Sequence, residues 1–332
     1  MIISRTPFRI SFFGGGTDYP AWYHEYGGSV IGMAIDKYCY LSCRQLPPFF
    51  EYKHRIVYSM VEYVKEIAEI KHPAVRSILE TFGIHEGLEI HHDGDLPARS
   101  GVGSSSSFTV GLIHSLKALQ GFIISKRDLA TQAIYIERDV LKENVGSQDQ
   151  VLTAYGGLNR IDFYRDDSFV VTPIIMDKER IAALQNHMML FFTGFSRNAS
   201  DIAKSQIENL DKRKQELRAM GAVVEEAVSV LQSRTVPIEQ FGKLLHEYWQ
   251  YKRSLSEQVS NGHIDEIYRA AIEAGAIGGK LLGAGGGGFM LFFVRPENQP
   301  RVREKLKHLV HVTFRIDYTG SKIVIYEPNN FQ

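Results

Sequence analysis

Cysteine is scarce in this sequence. The chain of 332 residues contains two cysteines, Cys39 and Cys43. Two thiols cannot build a disulfide framework or a four-thiolate zinc site, and their spacing matches neither the thioredoxin motif nor a zinc ribbon. We therefore expect two buried thiols in a protein of a reducing compartment.

An excess of charge of one sign is also absent. Lysine and arginine together number 38, aspartate and glutamate together number 38, and the formal net charge is zero. Nucleic-acid-binding proteins usually carry a basic excess and disordered acidic proteins a negative one, so both classes are excluded. The hydrophobic share of 44% and the charged share of 23% are typical of globular proteins. The length suggests about two domains.

Long apolar runs are missing as well. The most apolar stretch, Phe289 to Val294, is far shorter than the roughly 20 residues that span a bilayer. Met1 leads into a short apolar strand and then Arg5 and Arg9, without the apolar run and small-residue cleavage site of a signal peptide. We expect a cytoplasmic protein with no membrane partner.

Glycine, in contrast, is abundant and clustered. The chain has 29 glycines, and they concentrate in three segments, Gly14–Gly16, Gly101–Gly103 and Gly283–Gly288. Such clusters occur where the backbone adopts positive φ angles or approaches another group closely.

The glycine-rich segment at 101–103 lies between a predicted strand, Leu88–His92, and a predicted helix, Phe108–Leu119. Glycines before a helix allow the backbone to wrap an anion, the unpaired N–H groups of the first turn point at it, and the helix dipole favours negative charge. The four serines 104–107 add hydroxyl donors or a magnesium ligand. The segment therefore predicts a phosphate-binding loop.

Better-known phosphate loops do not match this segment. The Walker motif needs Ser or Thr after Gly-Lys, but each of the two Gly-Lys pairs, Gly242-Lys243 and Gly279-Lys280, is followed by leucine. The dinucleotide fingerprint needs a glycine where Ser106 stands. The His-Arg-Asp and Asp-Phe-Gly motifs of protein kinases are missing.

Three motifs, taken together and in their order, resemble those of the GHMP kinases, which phosphorylate small molecules with ATP. The segment Thr6–Tyr19 is similar to the first motif, Pro97–Ser106 to the second and Gly283–Gly288 to the third. The resemblance implies an α+β fold with two domains, a ribosomal-protein-S5-like ATP-binding domain at 1–178 and a ferredoxin-like domain at 179–332. ATP and Mg²⁺ are the implied cofactors, bound near the cleft between the domains.

The resemblance also implies roles for individual residues. Asp149, in the segment 146–150, is the expected general base, and Arg9 is the cation beside it. Glu137 and Ser105 are expected to hold Mg²⁺, with Ser104 as the alternative serine. The residues expected around the ATP phosphates are Gly101, Gly103, Ser104, Ser105 and Ser106.

The acceptor is suggested by the first motif. Gly14-Gly15-Gly16-Thr17-Asp18 resembles the bacterial heptose-phosphate kinases, which phosphorylate the anomeric hydroxyl of D-glycero-D-manno-heptose 7-phosphate, whereas galactokinases have Glu-His in place of Gly15-Gly16. This likeness implies that Asp18 binds sugar hydroxyls and that cations, Arg197 first and Lys252 or Arg253 next, bind a distal phosphate. The other residues expected at the acceptor are Gly16, Thr17, Gly285 and Gly286.

Two alternatives remain open. Fucose-type sugar kinases share the Gly-Gly-Gly-Thr-Asp segment, and some relatives of this family are non-catalytic sugar-binding proteins. The expected partner is a small-molecule sugar or sugar phosphate, and a homodimer is left open.

Periodicity and turn residues predict further elements. Ser29–Ile35 and Tyr38–Cys43 are expected as two strands, and 199–232 as a long helix broken at Gly221. The boundary between the two domains is expected between Ile174 and Gln185.

Overall fold

The computed structural model describes residues 1–194 and 199–328. In this part of the chain the strands form one sheet of eight strands and one of four. The strands are β1 (Ile2–Phe13), β2 (Gly28–Gln45), β3 (His54–Val57), β4 (Val61–Val64), β5 (Leu88–Gly94), β6 (Leu158–Phe163), β7 (Phe169–Pro173), β8 (Met188–Phe192), β9 (Ala276–Leu281), β10 (Phe289–Val294), β11 (Val310–Val312) and β12 (Lys322–Tyr326).

Helices cover much of the remaining chain. They are α1 (Pro20–Tyr26), α2 (Pro73–Thr81), α3 (Ser104–Leu119), α4 (Lys126–Tyr135), α5 (Gln148–Tyr155), α6 (Lys178–His187), α7 (Ala199–Glu208), α8 (Lys214–Gln232), α9 (Glu239–Ser254), α10 (Gly262–Glu273) and α11 (Gln299–Lys305). Within the described ranges, no helix is long and apolar enough to cross a membrane.

The larger sheet has the strand order β12-β1-β2-β5-β3-β4, with β6 paired to β2 and β7 to β6. The pair β3–β5 is parallel and the other pairs are antiparallel. Strand β12 comes from the end of the chain but pairs with β1, for example Ile2 with Tyr326. The predicted division into 1–178 and 179–332 therefore does not describe the last strand, which returns to the first sheet.

The two strands predicted at 29–35 and 38–43 are one long strand, β2. Opposite the step from Pro7 to Phe8, the pairing jumps from Tyr38 to Ile35, so two extra residues form a bulge. The backbone N–H of Asp36 in this bulge donates to the carbonyl of Arg315. A bulge interrupts the alternating pattern without ending the strand, which is why the sequence suggested two strands.

Helix α3 lies against β1 and β2 and is buried nearly all round. Leu112, Ile113 and Leu116 are fully buried, as expected for a helix that is apolar on most of its surface. Because this packing fixes the helix, the loop at its N-terminus is held in place too.

The break in the long helical segment lies before Gly221, not at it. A short 3₁₀ turn, Leu210–Arg213, separates α7 from α8, and Gly221 lies inside α8. A glycine in a helix costs only about 1 kcal/mol, and the buried face of α8, with Leu217, Met220 and Val224, outweighs this cost.

The smaller sheet has the order β11-β8-β10-β9 and packs against α9. Phe241 of α9 meets Phe12 and Phe13 of β1 edge to face, with ring centroids 5.3 and 5.0 Å apart. These contacts join the two sheets through one apolar core. The ends of β1 and β9 and the start of α3 thereby meet at one cleft.

Candidate active site

A cleft of about 240 Å³ lies where the three glycine-rich segments meet. Gly16, Gly101 and Gly283 each contribute to its lining, one from each segment. A wider and more open groove of about 1140 Å³ lies behind the first segment, where Thr17 and Trp22 face it, but Asp149, Arg9 and the loop serines line the smaller cleft. We therefore assign the site to the smaller cleft.

The loop before α3 has the geometry of an anion-binding site. Gly103 is the N-terminal cap of α3, with a φ of 76° that favours glycine. A Cβ on Gly103 would lie 2.9 Å from Arg9 Cγ, so this glycine makes room for the arginine. The N–H groups of the first helical turn have no acceptor within the helix and are available to a phosphate. The five residues predicted for the ATP phosphates all line this part of the cleft: Gly101, Gly103, Ser104, Ser105 and Ser106.

Arg9 and Asp149 form a two-bond ion pair at the centre of the cleft. Arg9 Nε donates to Asp149 Oδ1 at 2.7 Å, and Nη2 donates to Oδ2 at 2.6 Å. The third guanidinium nitrogen, Nη1, donates to the carbonyl of Gly101 at 2.6 Å. Such a planar fork fixes the carboxylate in position and orientation. The structure thus brings the predicted base, its cation and the phosphate loop together.

Glu137 lies behind the loop, on a π-helical turn, Ile136–Val140, that continues α4. Turns of this kind are frequent at functional sites. Oε2 of Glu137 accepts hydrogen bonds from the hydroxyl of Ser106, at 2.9 Å, and from the amide of Gln150. Oε1 is buried and accepts no well-formed hydrogen bond, although the Thr109 side chain also interacts with the carboxylate. Burial raises the pKa of Glu137 to about 7.

The serine beside Glu137 is therefore Ser106. Ser105, predicted as the magnesium partner, is exposed on the first turn of α3, and the hydroxyl of Ser104 accepts from the N–H of Arg99 at 3.0 Å. Helical geometry explains the difference, because successive residues turn by about 100° and only one of the three serines can face α4.

Asp18 is a second buried carboxylate in the cleft. Its Oδ1 accepts from the N–H of Gly16 at 2.9 Å, and its Oδ2 from the N–H of Gln148 at 3.3 Å. Burial raises its pKa, and the Asp149 charge acts in the same direction. Since Gln148 directly precedes Asp149 at the start of α5, this contact sets the distance between the two carboxylates. Asp18 and Gly16 line the cleft as predicted positions for an acceptor.

Two buried lysines complete the charge distribution. Nζ of Lys280 donates to the carbonyls of Ser11 and Phe12, at 2.9 and 2.8 Å. Nζ of Lys252 donates to the carbonyls of Leu281, at 3.3 Å, and of Gly283. Both side chains line the cleft, and burial lowers the pKa of each. Together with Arg9 they place three basic side chains beside the phosphate loop and the two carboxylates.

Known proteins resemble this chain along most of its length. The model of the GHMP kinases N terminal domain matches residues 62–157 and that of the GHMP kinases C terminal domain matches 237–311, together just over half of the chain. The chain belongs to the GHMP kinase family. It is therefore an ATP-dependent phosphotransferase, and the predictions of family, α+β fold and enzyme class are confirmed.

Individual relatives of this GHMP kinase differ in substrate. The D-glycero-alpha-D-manno-heptose 7-phosphate kinase of Campylobacter jejuni is 29% identical over 319 residues, which cover 92% of this chain and 93% of that protein. The bifunctional fucokinase/GDP-fucose pyrophosphorylase of Arabidopsis thaliana is 24% identical over 96% of this chain and 32% of that protein. A solved D-glycero-D-manno-heptose 1-phosphate kinase of Bacteroides thetaiotaomicron superimposes with a TM-score of 0.80 at 21% identity, covering 98% of this chain and 100% of that one, which shows the fold.

The third glycine-rich segment of this GHMP kinase packs against the second. A Cβ on Gly283 would lie 2.6 Å from Gly101 Cα, so the two backbones touch. Gly285 and Gly286, predicted at the acceptor, instead lie against Val259, whose carbonyl accepts from the N–H of Gly286 at 3.0 Å. Neither residue lines the cleft, and the close backbone contact gives Gly285 a packing reason to be glycine.

The remaining acceptor predictions have different outcomes. The hydroxyl of Thr17 is used within the fold, donating to Gly14 O at 2.8 Å and Ser29 O at 3.1 Å. Arg253 pairs with Asp265 at 2.8 Å and does not line the cleft. Arg197 lies outside the described residues.

Lys280 is the main cleft residue that sequence reasoning missed. It lies in β9 between Gly279 and Leu281, and only the absence of a Walker motif had been concluded from it. An isolated lysine in an otherwise apolar and small-residue strand was the available signal, because a buried charge needs a partner or a function.

Proposed function

We propose that this GHMP kinase transfers the γ-phosphoryl group of ATP to the anomeric hydroxyl of a heptose 7-phosphate. The observation that carries the proposal is one cleft in which a phosphate loop, the Arg9–Asp149 pair and the buried Asp18 lie together. A relative named as a heptose 7-phosphate kinase, similar over nearly the full length of both chains, supports the choice of acceptor.

Asp149 is the residue placed to accept the proton of the sugar hydroxyl. A general base must reach the hydroxyl while remaining ionised, and the guanidinium of Arg9 favours the ionised form by charge and by two hydrogen bonds. One side of the Asp149 carboxylate is occupied by Arg9, so the hydroxyl approaches from the open cleft. Asp18 would hold a neighbouring sugar hydroxyl and thereby orient the reacting one.

The phosphoryl group would lie between the start of α3 and Asp149. The start of α3 and the basic side chains of Arg9, Lys252 and Lys280 line this space. Charge on the equatorial oxygens of the transferring group is stabilised by such fixed donors, which is the main contribution a kinase makes to catalysis.

The residues behind the loop fit a magnesium ion. Glu137 offers a buried oxygen that accepts no well-formed hydrogen bond, and Ser106 offers a hydroxyl beside it. Hard oxygen ligands of this kind, together with water and phosphate oxygens, suit Mg²⁺. When bound there, the ion would offset negative charge on the ATP phosphates. We propose Glu137 and Ser106 as its protein ligands.

The distal phosphate of the acceptor needs a cation remote from the reacting hydroxyl. Lys252 lies beside Asp18 and Asp149, at the reacting end of the cleft, and Arg253 already has an acidic partner, so neither suits the distal phosphate. We therefore keep Arg197 as the proposed ligand.

We also propose that the enzyme acts in the cytoplasm, where ATP and sugar phosphates are available, and cell fractionation tests this.

Steady-state kinetics with a panel of acceptors tests the proposed function. We expect kcat/KM for heptose 7-phosphate to exceed that for the unphosphorylated heptose, L-fucose and D-galactose. Replacing Arg197 by alanine should lower kcat/KM for the phosphorylated heptose by about 10- to 150-fold, which corresponds to the free energy of one charge-assisted hydrogen bond. KM for ATP should stay unchanged. Matched controls are Arg99→Ala, in the ATP loop, and the unphosphorylated heptose.

Three other results would each point elsewhere. A preference for L-fucose would refute the heptose assignment and favour the fucose-type alternative, while leaving the sugar kinase in place. Equal effects of Arg197→Ala on both heptoses would remove Arg197 from phosphate binding. Nucleotide binding without ADP release for any sugar would favour a non-catalytic sugar-binding protein.

A further inference from the structure

Lys252 is held in a fixed position at the edge of the cleft. It lies in the last turn of α9, its residue is only 6% exposed, and its side chain lines the cleft. Its Nζ donates to the carbonyls of Leu281 and Gly283, at the end of β9 and in the third glycine-rich segment. The ammonium position is therefore set by backbone and not by a carboxylate.

Both the neutral and the charged form of this lysine can donate to the two carbonyls, but the charged form has one donor more. A neutral amine has two N–H donors, and an ammonium group has three. In the described part of the chain, Leu281 and Gly283 are the acceptors for Nζ, so the third N–H of the charged form is free to bind a group in the cleft. An incoming oxygen in the cleft would provide the third acceptor.

Charges around Lys252 oppose one another. Arg9 disfavours its charged form, whereas Asp18 and Asp149 favour it. Burial and Arg9 together lower the pKa of Lys252 to about 7. Arg99, Glu143 and Tyr19 also line the cleft. Both protonation states of Lys252 are therefore accessible near neutral pH.

Lys252 and Arg9 lie on the two sides of one loop residue. The carbonyl of Gly101 accepts from Nη1 of Arg9 at 2.6 Å, while the backbone of Gly283, whose carbonyl binds Lys252, touches Gly101. Both side chains and Gly101 line the same cleft. Arg9 is always charged, whereas the amine of Lys252 can be neutral or protonated.

We propose that Lys252 binds the γ-phosphoryl group of ATP through its third N–H and takes up a proton as ATP binds. The inference rests on the proposed phosphoryl transfer in this cleft. In the free enzyme, the neutral amine donates to two carbonyls without adding a second positive charge beside Arg9. With the phosphate in place, the extra negative charge favours the ammonium, so the cation is present when charge develops in the transition state.

Calorimetric titration without acceptor tests this proposal. MgATP and MgADP are each titrated at pH 8.0 in two buffers of different ionisation enthalpy, which gives the protons taken up per site. If the pKa of Lys252 rises from about 7 to above about 9, the wild type should take up about 0.8 proton with MgATP and much less with MgADP. Lys252→Met and Lys252→Arg should both lose this uptake, and uptake that persists in Lys280→Met excludes the second buried lysine as its source.

The pH profile provides an independent measurement. For the wild type, kcat/KM for ATP should fall about tenfold per unit of pH above 7, because it reports the free enzyme, while kcat should fall only at higher pH. Lys252→Arg should make the kcat/KM profile flat over this range, since a guanidinium does not titrate there.

Several results would overturn the proposal. ATP binding with no proton uptake in the wild type, or unchanged uptake in Lys252→Met, would remove Lys252 from this role while leaving the kinase function intact. Loss of uptake in Lys280→Met alone would assign the role to Lys280. No heat of nucleotide binding in any buffer would contradict the proposed function itself, and this inference with it.

Discussion

The ion pair between Arg9 and Asp149 offers the sharpest test of how the site works. Both Asp149 oxygens accept from Arg9, at 2.7 and 2.6 Å. In Asp149→Asn, one oxygen becomes an NH₂ group that faces an N–H donor, so one charge-assisted bond, worth about 1.5–3 kcal/mol, is lost. The general base is lost at the same time, which typically costs about 10²- to 10⁴-fold in rate.

We therefore expect Asp149→Asn to lower kcat by at least about 100-fold. Arg9→Met should lower it to a similar extent, since Asp149 then loses its orientation and the phosphoryl group loses a cation. Because the two residues act as one unit, the double variant should be within about fivefold of the slower single variant. The carboxylate of Asp149 is 24% exposed, so water can solvate it after removal of Arg9 and the fold should survive.

The assay is ADP release at saturating ATP and acceptor, with thermal unfolding as the control for folding. Losses that multiply in the double variant would show that Arg9 and Asp149 act independently. Retention of more than about a tenth of wild-type turnover in Asp149→Asn would refute the assignment of the base.

Three further predictions concern the surrounding residues. Glu137→Gln should raise the Mg²⁺ concentration for half-maximal activity by about tenfold or more. It should also raise the unfolding temperature of the metal-free protein at pH 8, because the variant no longer buries a charge. An unchanged Mg²⁺ dependence would remove Glu137 from the metal site. Gly103→Ala should displace Arg9 and reduce both ATP affinity and kcat by about tenfold or more. The control Gly121→Ala, also at positive φ but with nothing within 4 Å of the new Cβ, should cost only about 1 kcal/mol of stability. Equal effects of the two variants on activity would contradict the packing argument. Asp18→Asn should raise KM for the acceptor by about tenfold and leave KM for ATP unchanged, and an effect on ATP alone would place the acceptor elsewhere.

Local sequence predicted the parts of the site that depend on backbone geometry. Glycine conformations and the unpaired N–H groups of a helix N-terminus predict a phosphate loop before α3, and the structure has such a loop there. Contacts between distant segments were inaccessible, because one sequence carries no distances. That Gly283 touches Gly101, and that Gly285 lies against Val259, are consequences of how two separate segments pack.

The rotation of α3 and the pairing of the strands also could not be predicted from the sequence. The choice between Ser105 and Ser106 depends on the rotation of α3 about its axis, which is set by packing on β1 and β2. The bulge in β2 and the return of β12 to β1 depend on pairing partners far apart in the chain. The buried position of Lys280 likewise depends on β1, whose Ser11 carbonyl accepts its hydrogen bond at 2.9 Å.

The most direct test of the central claim is the chemical identity of the product. Incubation of the enzyme with MgATP and D-glycero-D-manno-heptose 7-phosphate, followed by phosphorus NMR, should show ADP and an equal amount of a new phosphate signal coupled to the anomeric proton. The Asp149→Asn variant should show neither in the same time. A new phosphate on any other carbon, or turnover of unphosphorylated sugars with none of the heptose phosphate, would contradict the account.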